Sequence, residues 1–210
     1  MVKKSIIVGA GGHCRVILSI LKFYNDYEAV GIADRNNHFF GEIINDLSIK
    51  YTWNDFVSIK EKGIDYAFIA VGSNDERISL YKKLKAIEFR IPNLIHPTAL
   101  LETDIKLGDG NVICLGARIS TLVSIGSNCV VYSGTIIDHE VNIGNNVYIA
   151  SGCLIAGRVK IENNVFIGIG VTIKEKVTVG EGSVIGAGSV VLKDIPSNSI
   201  VAGIPARNIK

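Results

Sequence analysis

The sequence lacks the features that mark nucleic-acid-binding, membrane-spanning and secreted proteins. Its 22 lysines and arginines nearly balance its 20 aspartates and glutamates, and no basic block is interleaved with aromatic residues, so a nucleic-acid partner is not expected. No uncharged apolar run is long enough to cross a bilayer. Glycines interrupt the basic and apolar start at once, which argues against a signal peptide. The sequence therefore predicts a cytoplasmic protein without a membrane partner.

Cysteine is scarce and has no metal-binding spacing. None of the four cysteines belongs to a CxxC pair, and no secretion signal implies an oxidising compartment. We expect these residues to be reduced and packed as small apolar side chains, and we expect no metal. They are Cys14, Cys114, Cys129 and Cys153.

What the sequence does have is an aliphatic residue at every sixth position between residues 95 and 191. This step fits neither the 3.6-residue period of a helix nor the alternation of an ordinary strand. It is the hexapeptide repeat of a parallel β-helix, in which three hexads form one triangular coil and coils stack at about 4.8 Å. The repeat positions are Ile95, Leu101, Leu107, Ile113, Ile119, Ile125, Val131, Ile137, Ile143, Ile149, Ile155, Ile161, Ile167, Ile173, Val179, Ile185 and Val191.

The corners and the end of the prism follow from the same repeat. Small or β-branched residues recur four positions after each aliphatic, where the interior is tight. Glycines directly after the aliphatic, such as Gly108 and Gly126, and Asn-Asn or Glu-Gly pairs are expected in turns that tolerate positive φ. Residues 93–196 are therefore predicted to form the β-helix. Residues 197–210 are predicted to be an extended cap over its last coil.

Residues 1–92 read as a small α/β domain of half-Rossmann type, because predicted strands and helices alternate along them. The strands are expected at residues 4–10, 29–33, 49–53 and 66–71, and the helices at residues 11–23, 54–62 and 75–87.

A glycine-rich turn, Gly-Ala-Gly-Gly-His at residues 9–13, joins the first strand to the first helix. Such a turn lets backbone N–H groups meet an anionic ligand at the positive end of the helix. Asp34 lies 25 residues beyond Gly9, about where an acidic residue of a Rossmann fold meets a ribose hydroxyl. Cys14 replaces the third glycine of the dinucleotide fingerprint, which disfavours NAD and favours a nucleotide-linked substrate. The glycines could also serve the tight turn alone.

Only one of the four histidines lies in the repeat beyond its entry at His96, and it has acidic neighbours. His139 follows the inward Ile137 by two positions, so it is expected at a turn and pointing outward, between Asp138 and Glu140. A carboxylate beside an imidazole fixes the tautomer of the ring, as a general base acting on an amine or hydroxyl requires. A solvated corner histidine is the alternative.

These features together resemble one family. The unbroken hexads, the Ile-x-His-Glu signature at residues 137–140 and the ending Val-Ala-Gly-Ile-Pro-Ala-Arg resemble the left-handed β-helix acyltransferases that use acetyl-CoA. The opening Gly-Ala-Gly-Gly-His and the Ile-His-Pro-Thr-Ala at residues 95–99 narrow the resemblance to the NeuD/PglD-type sugar acetyltransferases, over the whole chain. Carbonic anhydrase-like trimers of the same fold need several zinc-ligand histidines along the prism, whereas this prism has only His139 beyond its entry.

The resemblance implies a homotrimer with active sites between neighbouring prisms, and a direct transfer without a covalent acyl-enzyme. His139 would be the general base and Glu140 its partner, a role that Asp138 could share. Arg35 stands where members that bind sugar nucleotides can carry a second acid, so the nucleobase stays open. The substrate nucleotide would be bound at Gly11, Gly12, His13, Asp34, Arg35, Gly72, Ser73 and Asn74.

For acetyl-CoA, the resemblance implies a backbone contact at Tyr148, nine residues beyond the base. Arg207 would approach the CoA phosphates or would only cap the prism. Four further residues, taken to lie one to three coils along the same column, would line the pantetheine arm. They are Gly168, Ile169, Gly186 and Ala187.

The activity implied is acetyl-CoA-dependent N-acetylation of a nucleotide-linked 4-amino-4,6-dideoxy sugar in bacterial surface-glycan (for example lipopolysaccharide) biosynthesis. Two alternatives stay open: O-acetylation of a sialic acid or related sugar, and a non-catalytic protein that binds a nucleotide sugar. The intact His139-Glu140 pair argues against the second alternative.

Overall fold

The structure is a computed structural model that describes residues 2–35 and 37–209. The chain forms two compact units, and the division falls between Leu94 and Ile95, two residues beyond the boundary predicted from the sequence. No helix of the described residues is long and apolar enough to cross a membrane.

The first unit is a five-stranded sheet in the order β3-β4-β2-β1-β5, with three α-helices. β1 pairs in parallel with β2 and β5, and β2 pairs in parallel with β4. Only β3 is antiparallel to its neighbour, β4. The elements are β1 (Lys3–Val8), α1 (Gly12–Leu21), β2 (Tyr27–Asp34), a 3₁₀ turn (Asn37–Phe39), β3 (Ile43–Ile44), β4 (Leu47–Thr52), α2 (Phe56–Glu61), β5 (Tyr66–Ile69) and α3 (Asn74–Ala86).

The apolar pattern of the sequence explains this layering. Ile6, Ile7 and Val8 of β1 are all fully buried, as expected for a central parallel strand that is covered on both faces. On α3, Leu80 and Leu84 are buried one turn apart and face the same core. Each such side chain stabilises the fold by about 1.5 to 3 kcal/mol relative to its exposed state. The strands thereby hold the loops that follow β1, β2 and β5 at one edge of the sheet, where a ligand site is expected.

The second unit is a parallel β-helix of two-residue strands in three faces. In chain order the strands are β6 (Leu94–Ile95), β7 (Leu100–Leu101), β8 (Lys106–Leu107), β9 (Val112–Ile113), β10 (Arg118–Ile119), β11 (Ser124–Ile125), β12 (Val130–Val131), β13 (Ile136–Ile137), β14 (Asn142–Ile143), β15 (Tyr148–Ile149), β16 (Leu154–Ile155), β17 (Lys160–Ile161), β18 (Phe166–Ile167), β19 (Thr172–Ile173), β20 (Thr178–Val179), β21 (Val184–Ile185) and β22 (Val190–Val191).

Every third strand belongs to the same face, which confirms the hexapeptide prediction. The first face contains β6, β9, β12, β15, β18 and β21, the second face runs from β7 to β22, and the third runs from β8 to β20. Residues 18 apart therefore lie directly above one another, as Ile137 pairs with Ile155. The inward aliphatic residues from Ile113 to Val191 are buried, and so are the smaller residues of the second register, such as Val141 and Cys153.

The turns differ in part from the sequence-based expectation. Positive φ does occur at the second residue of the Asn-Asn pairs, with Asn146 at 56° and Asn164 at 62°. Gly126, which follows the inward Ile125, must be a glycine for a different reason. A Cβ built there would lie 2.7 Å from the backbone of Gly144 in the next coil. Close stacking of the coils, rather than a left-handed conformation, therefore requires that glycine.

The tail pairs with the end of the first face. Residues 200–203 form β23 (Ile200–Gly203), which pairs in parallel with β21 on that face. The chain then reverses into β24 (Ala206–Asn208), antiparallel to β23. β23 thereby takes up the hydrogen-bonding edge that the last coil leaves open.

All four cysteines are free and buried, as the sequence predicted. Burial raises the pKa of the Cys114 thiol to about 12. A thiol with such a high pKa is inert at neutral pH, so this cysteine acts as a packing residue.

Candidate active site

His139 lies at the corner where the second face turns into the third. The chain leaves the buried Ile137, turns through His139 and Glu140, and enters β14. Glu140 has a positive φ of 58°, and its N–H donates to the carbonyl of Thr121 one coil away. This geometry points the His139 ring away from the core, and its side chain is 44% exposed. The outward orientation predicted from the hexad is confirmed.

The imidazole is held by Glu140, and Glu140 is held by a residue that the sequence reading missed. Nδ1 of His139 lies 2.9 Å from Oε2 of Glu140. The Arg158 guanidinium donates through Nε to the same Oε2 atom at 2.8 Å. Arg158 lies 18 residues beyond Glu140, one full coil, so the repeat itself could have revealed it.

Asp138 plays a different part. Its Oδ1 accepts a hydrogen bond from the backbone N–H of His139 at 2.7 Å, so Asp138 fixes the turn and Glu140 is the partner of the ring. The sequence left the choice between these two carboxylates open, and the hydrogen bonds decide it.

The charges at this corner define which imidazole nitrogen carries the proton. The hydrogen bond from His139, and then that from Arg158, hold the pKa of Glu140 below its usual range. Glu140 is therefore ionised at neutral pH and can only accept hydrogen bonds. Nδ1 of His139 must then be the donor, which leaves Nε2 as the basic nitrogen.

The ring rests on a glycine of the next coil. A Cβ built on Gly157 would lie 2.6 Å from Nε2 and 2.8 Å from Cε1 of His139, so no other residue type leaves room for this ring position. A cavity of about 260 Å³ opens beside the ring, and its lining includes Asp138, Arg158 and Glu175. The basic nitrogen thus lies beside a polar cavity large enough for a reacting group.

In the first unit, the glycine turn at residues 9–12 is braced by Asp34. The N–H of Ala10 donates to Oδ2 of Asp34 at 2.7 Å. Gly9 has a φ of 113° and packs against the backbone of Ala70, whereas Gly11 and Gly12 face open space. Gly11 is the N-cap of α1, and no side chain caps that helix end. A helix start that no side chain caps is suited to an anion, because the positive end of the helix dipole lies there.

The structure places the side chain of His13 in the core, so a contact of this residue with the nucleotide would have to be made by its backbone. His13 is 6% exposed, because it lies on the inner face of α1 with Ile17 and Ile20. Burial, followed by the charge of Arg77, lowers the pKa of His13 to about 4. The ring is neutral at physiological pH and packs beneath the glycine turn.

The other residues predicted for the nucleotide lie at the expected edge of the sheet, but several have roles in the fold. Ser73 is the N-cap of α3 and accepts from the N–H of Glu76 at 3.4 Å. Asn74 accepts from the buried Arg77 at 2.7 Å. Gly72 faces open space. The structure therefore brings the loop 72–74 to the carboxyl end of β5, as expected.

Arg35 forms an ion pair with Glu76 at the start of α3. Its guanidinium also lies 6.0 Å from the centre of the Trp53 ring. The sequence reading missed both partners, because they come from elements that are distant along the chain. A cavity of about 330 Å³ adjoins them, lined by Trp53, Glu76 and Lys83 among others.

The residues predicted for acetyl-CoA do not share one column within the chain. Tyr148 is on the first face, where its ring stacks on Phe166 with 5.0 Å between centroids. The remaining four follow β18 and β21, at the corner between the first and second faces, and are Gly168, Ile169, Gly186 and Ala187. The predicted common column is therefore wrong, because only residues 18 apart stack.

Arg207 lies in β24 and is exposed. It lines a cavity of about 450 Å³ at the end of the prism, together with Lys193 and Pro205. Among residues 2–35 and 37–209, no group of three or more His, Cys, Asp or Glu side chains is placed to hold a metal ion.

Comparison with known proteins agrees with both units. The model of the PglD N-terminal domain matches residues 4–84. The models of the bacterial transferase hexapeptide and of the hexapeptide repeat of succinyl-transferase match residues 158–193 and 123–155. Both units of the chain therefore resemble the NeuD/PglD-type sugar acetyltransferases. The chain is an acyltransferase with a Rossmann-like first domain and a hexapeptide-repeat β-helix.

Solved structures of family members superpose on the whole chain. PerB from Caulobacter crescentus, in complex with CoA and GDP-perosamine, is 26% identical, with a TM-score of 0.93 and coverage of 100% of this chain and 99% of its own. The acetyltransferase domain of PglB from Neisseria gonorrhoeae, in complex with acetyl coenzyme A, is 28% identical, with a TM-score of 0.90 and full coverage of both chains. WeeI from Acinetobacter baumannii shares the fold at 22% identity and a TM-score of 0.88. No protein with a curated sequence matches the chain significantly.

Proposed function

We propose that this sugar acetyltransferase transfers the acetyl group of acetyl-CoA to the amine of a nucleotide-linked 4-amino-4,6-dideoxy sugar. The observation that carries the proposal is the state of His139. Its Nδ1 is engaged by the ionised Glu140, and its Nε2 is left basic beside a polar cavity. Whole-chain similarity to PerB, which binds CoA and GDP-perosamine, supports the two classes of ligand.

The reaction is a direct acyl transfer. The nitrogen lone pair of the sugar amine attacks the thioester carbonyl carbon while Nε2 of His139 takes the proton of the amine. The carbon–sulfur bond then breaks, and the CoA thiolate leaves with that proton returned by the imidazolium. Glu140 stabilises the transient positive charge of the ring, because its carboxylate lies 2.9 Å from Nδ1. No covalent acyl-enzyme is needed, since base, amine and thioester react in one complex.

The first unit supplies the site that we propose for the nucleotide. The uncapped start of α1 at Gly11 and Gly12 suits a phosphate, because the N–H groups of a helix N-terminus and the helix dipole both favour anions. Asp34 is already bonded to Ala10 and keeps this turn in shape. Arg35 and the loop 72–74 lie at the same edge of the sheet and complete the proposed site.

For acetyl-CoA, we propose that the pantetheine arm runs along the corner between the first and second faces, past Gly168 and Gly186. The phosphates would meet the end of the prism, where Arg207 and Lys193 add positive charge to the cavity there. The backbone N–H of Tyr148 would not contact acetyl-CoA, contrary to the expectation from the sequence, because it donates to the carbonyl of Val165 at 2.9 Å.

His139 and the proposed CoA corner lie on different edges of one prism, which favours an assembly of several chains. A homotrimer would bring the His139 corner of one protomer against the other corner of its neighbour. The second face offers an apolar surface for such contacts, because its outward side chains Leu100, Ile136 and Leu154 are 61%, 40% and 46% exposed. These three belong to one column of the sheet, in which the exposed Arg118 lies between Leu100 and Ile136. We propose that this column contributes to the trimer contact.

We further propose that the reaction takes place in the cytoplasm, as a step of surface-glycan biosynthesis. All four cysteines are free, which agrees with a reducing compartment.

The acceptor is tested by thiol release from acetyl-CoA with a panel of nucleotide-linked 4-amino sugars, their 4-hydroxy analogues and free sialic acid. The expected result is thiol release with an amino sugar, together with a product that is 42 mass units heavier and carries the acetyl group on nitrogen. Release only with sialic acid would favour O-acetylation. Absence of release with every acceptor, while nucleotide sugar still binds, would favour a non-catalytic binding protein.

A further inference from the structure

Arg158 shares a single oxygen atom with the base. Its Nε donates to Oε2 of Glu140 at 2.8 Å, and the same oxygen accepts from Nδ1 of His139 at 2.9 Å. The backbone adds a second link, since the N–H of Arg158 donates to the carbonyl of His139 at 3.0 Å. Arg158 therefore contacts the base and the partner of the base at the same time.

The fold alone does not account for this arginine. Arg158 has a φ of 61°, in the left-handed region where glycine and asparagine are favoured. Leu122, Glu140 and Lys176 adopt the same conformation at this corner in other coils, so the turn does not require an arginine. The side chains of Arg158 and Glu140 are 54% and 41% exposed, so their ion pair contributes little to the stability of the fold. The hydrogen bond of Arg158 to Glu140 is therefore better explained by what it does to that carboxylate.

We propose that Arg158 is a positioning residue for acetyl transfer: it fixes the Glu140 carboxylate so that Oε2 stays on Nδ1 of His139. This role rests on the proposed function. Without the guanidinium, the exposed Glu140 side chain is free to change rotamer, and the ring loses the acceptor that selects its tautomer. The cation also opposes protonation of Glu140 as the pH falls. Both effects keep Nε2 basic and correctly aimed.

The test compares Arg158→Met and Arg158→Lys with the wild type. Arg158→Met should lower kcat by about 3- to 10-fold, the range expected when a solvent-exposed partner of an orienting group is lost, with KM for both substrates unchanged. The acidic limb of its pH–rate profile should move to higher pH, because the cation beside Glu140 is gone. Arg158→Lys keeps the charge and should recover most of kcat.

A matched control is Lys160→Met. Lys160 forms an ion pair with Glu162 on the same prism, and its side chain is 58% exposed, close to the value for Arg158. This control should leave kcat and the pH profile unchanged. In a Glu140→Gln background, Arg158→Met should add almost no further loss, since its effect passes through the carboxylate.

Histidine-selective nitrogen NMR separates this proposal from the proposed function, because it needs no substrate. The Nδ1–H signal of His139, assigned by its loss in His139→Ala, should shift in Arg158→Met and stay in place in Lys160→Met. An unchanged signal, with kcat and pH profile also unchanged, would overturn the role of Arg158. A shifted signal in an enzyme that acetylates no amine would leave that role standing and refute the proposed function.

Discussion

Replacement of Gly157 by alanine tests the geometry of the base with a single methyl group. Gly157 does not adopt a left-handed conformation, so the backbone tolerates alanine. The new Cβ would lie 2.6 Å from Nε2 and 2.8 Å from Cε1 of His139, where ordinary contact begins at 3.4 Å. The ring must therefore retreat by about 0.8 Å, and it can do so because it is half-exposed.

A displacement of about 1 Å at a reacting group can cost about 10²-fold in rate. We expect Gly157→Ala to lower kcat by about that factor, measured by thiol release at saturating acetyl-CoA and amino sugar. The melting temperature should stay within about 3 °C of the wild type, because the ring moves into solvent and no core contact is lost.

The matched control is the same change in a His139→Ala background, where the methyl group meets no ring. There it should have no further effect on the residual rate. Wild-type kcat in the Gly157→Ala single variant would refute the account, and so would an equal loss with and without the imidazole.

Three further results are expected from the structure. Leu154→Arg, on the second face, should convert the proposed trimer to monomers in light scattering, and a trimer that persists would exclude this face as the contact. Because burial lowers the pKa of His13 from 6.5 to about 4, its neutral form stabilises the fold above pH 6.5, and about 3 kcal/mol of unfolding free energy should be lost as the pH falls to 4. His13→Gln should reduce this pH dependence of the unfolding free energy, measured by urea titrations at several pH values. An unchanged pH dependence would assign it to other groups. Asp34→Ala leaves the Ala10 N–H without its acceptor, so it should cost about 1 to 3 kcal/mol of unfolding free energy and weaken nucleotide binding in calorimetry. Asp34→Asn keeps an acceptor oxygen and should recover most of both. Equal effects of the two variants would contradict this role of Asp34.

The sequence predicted the prism and the outward position of His139 because both depend on local rules. The six-residue period places Ile137 inside, and two residues later His139 must point outward beside Glu140. The same period, extended to the 18 residues of a full coil, also predicts that Gly157 stacks on His139 and Arg158 on Glu140. These two residues could have been found by counting coils.

The error about the acetyl-CoA residues has the same origin. A step of six residues moves the chain from one face to the next, so residues nine or twenty apart cannot share a column. Tyr148 and Gly168 therefore lie at different places around the prism, although both follow His139 in sequence.

In the first unit, the sequence could predict the loops at the edge of the sheet but not the contacts of their side chains. His13 looks like a ligand residue in a glycine-rich turn, yet the helix period places it inward with Ile17. The ion pair between Arg35 and Glu76 depends on how α3 packs against the sheet. Such packing has no signature in a single sequence, because it joins residues that are 41 positions apart.

The central claim is that Nε2 of His139 removes the proton from the attacking amine. The most direct test is kcat for acetyl transfer to the best nucleotide-linked amino sugar, compared between the wild type and His139→Asn at neutral pH. We predict a loss of about 10² to 10⁴-fold, with the oligomeric state and the melting temperature unchanged. A variant that retains wild-type kcat would show that the base is another group.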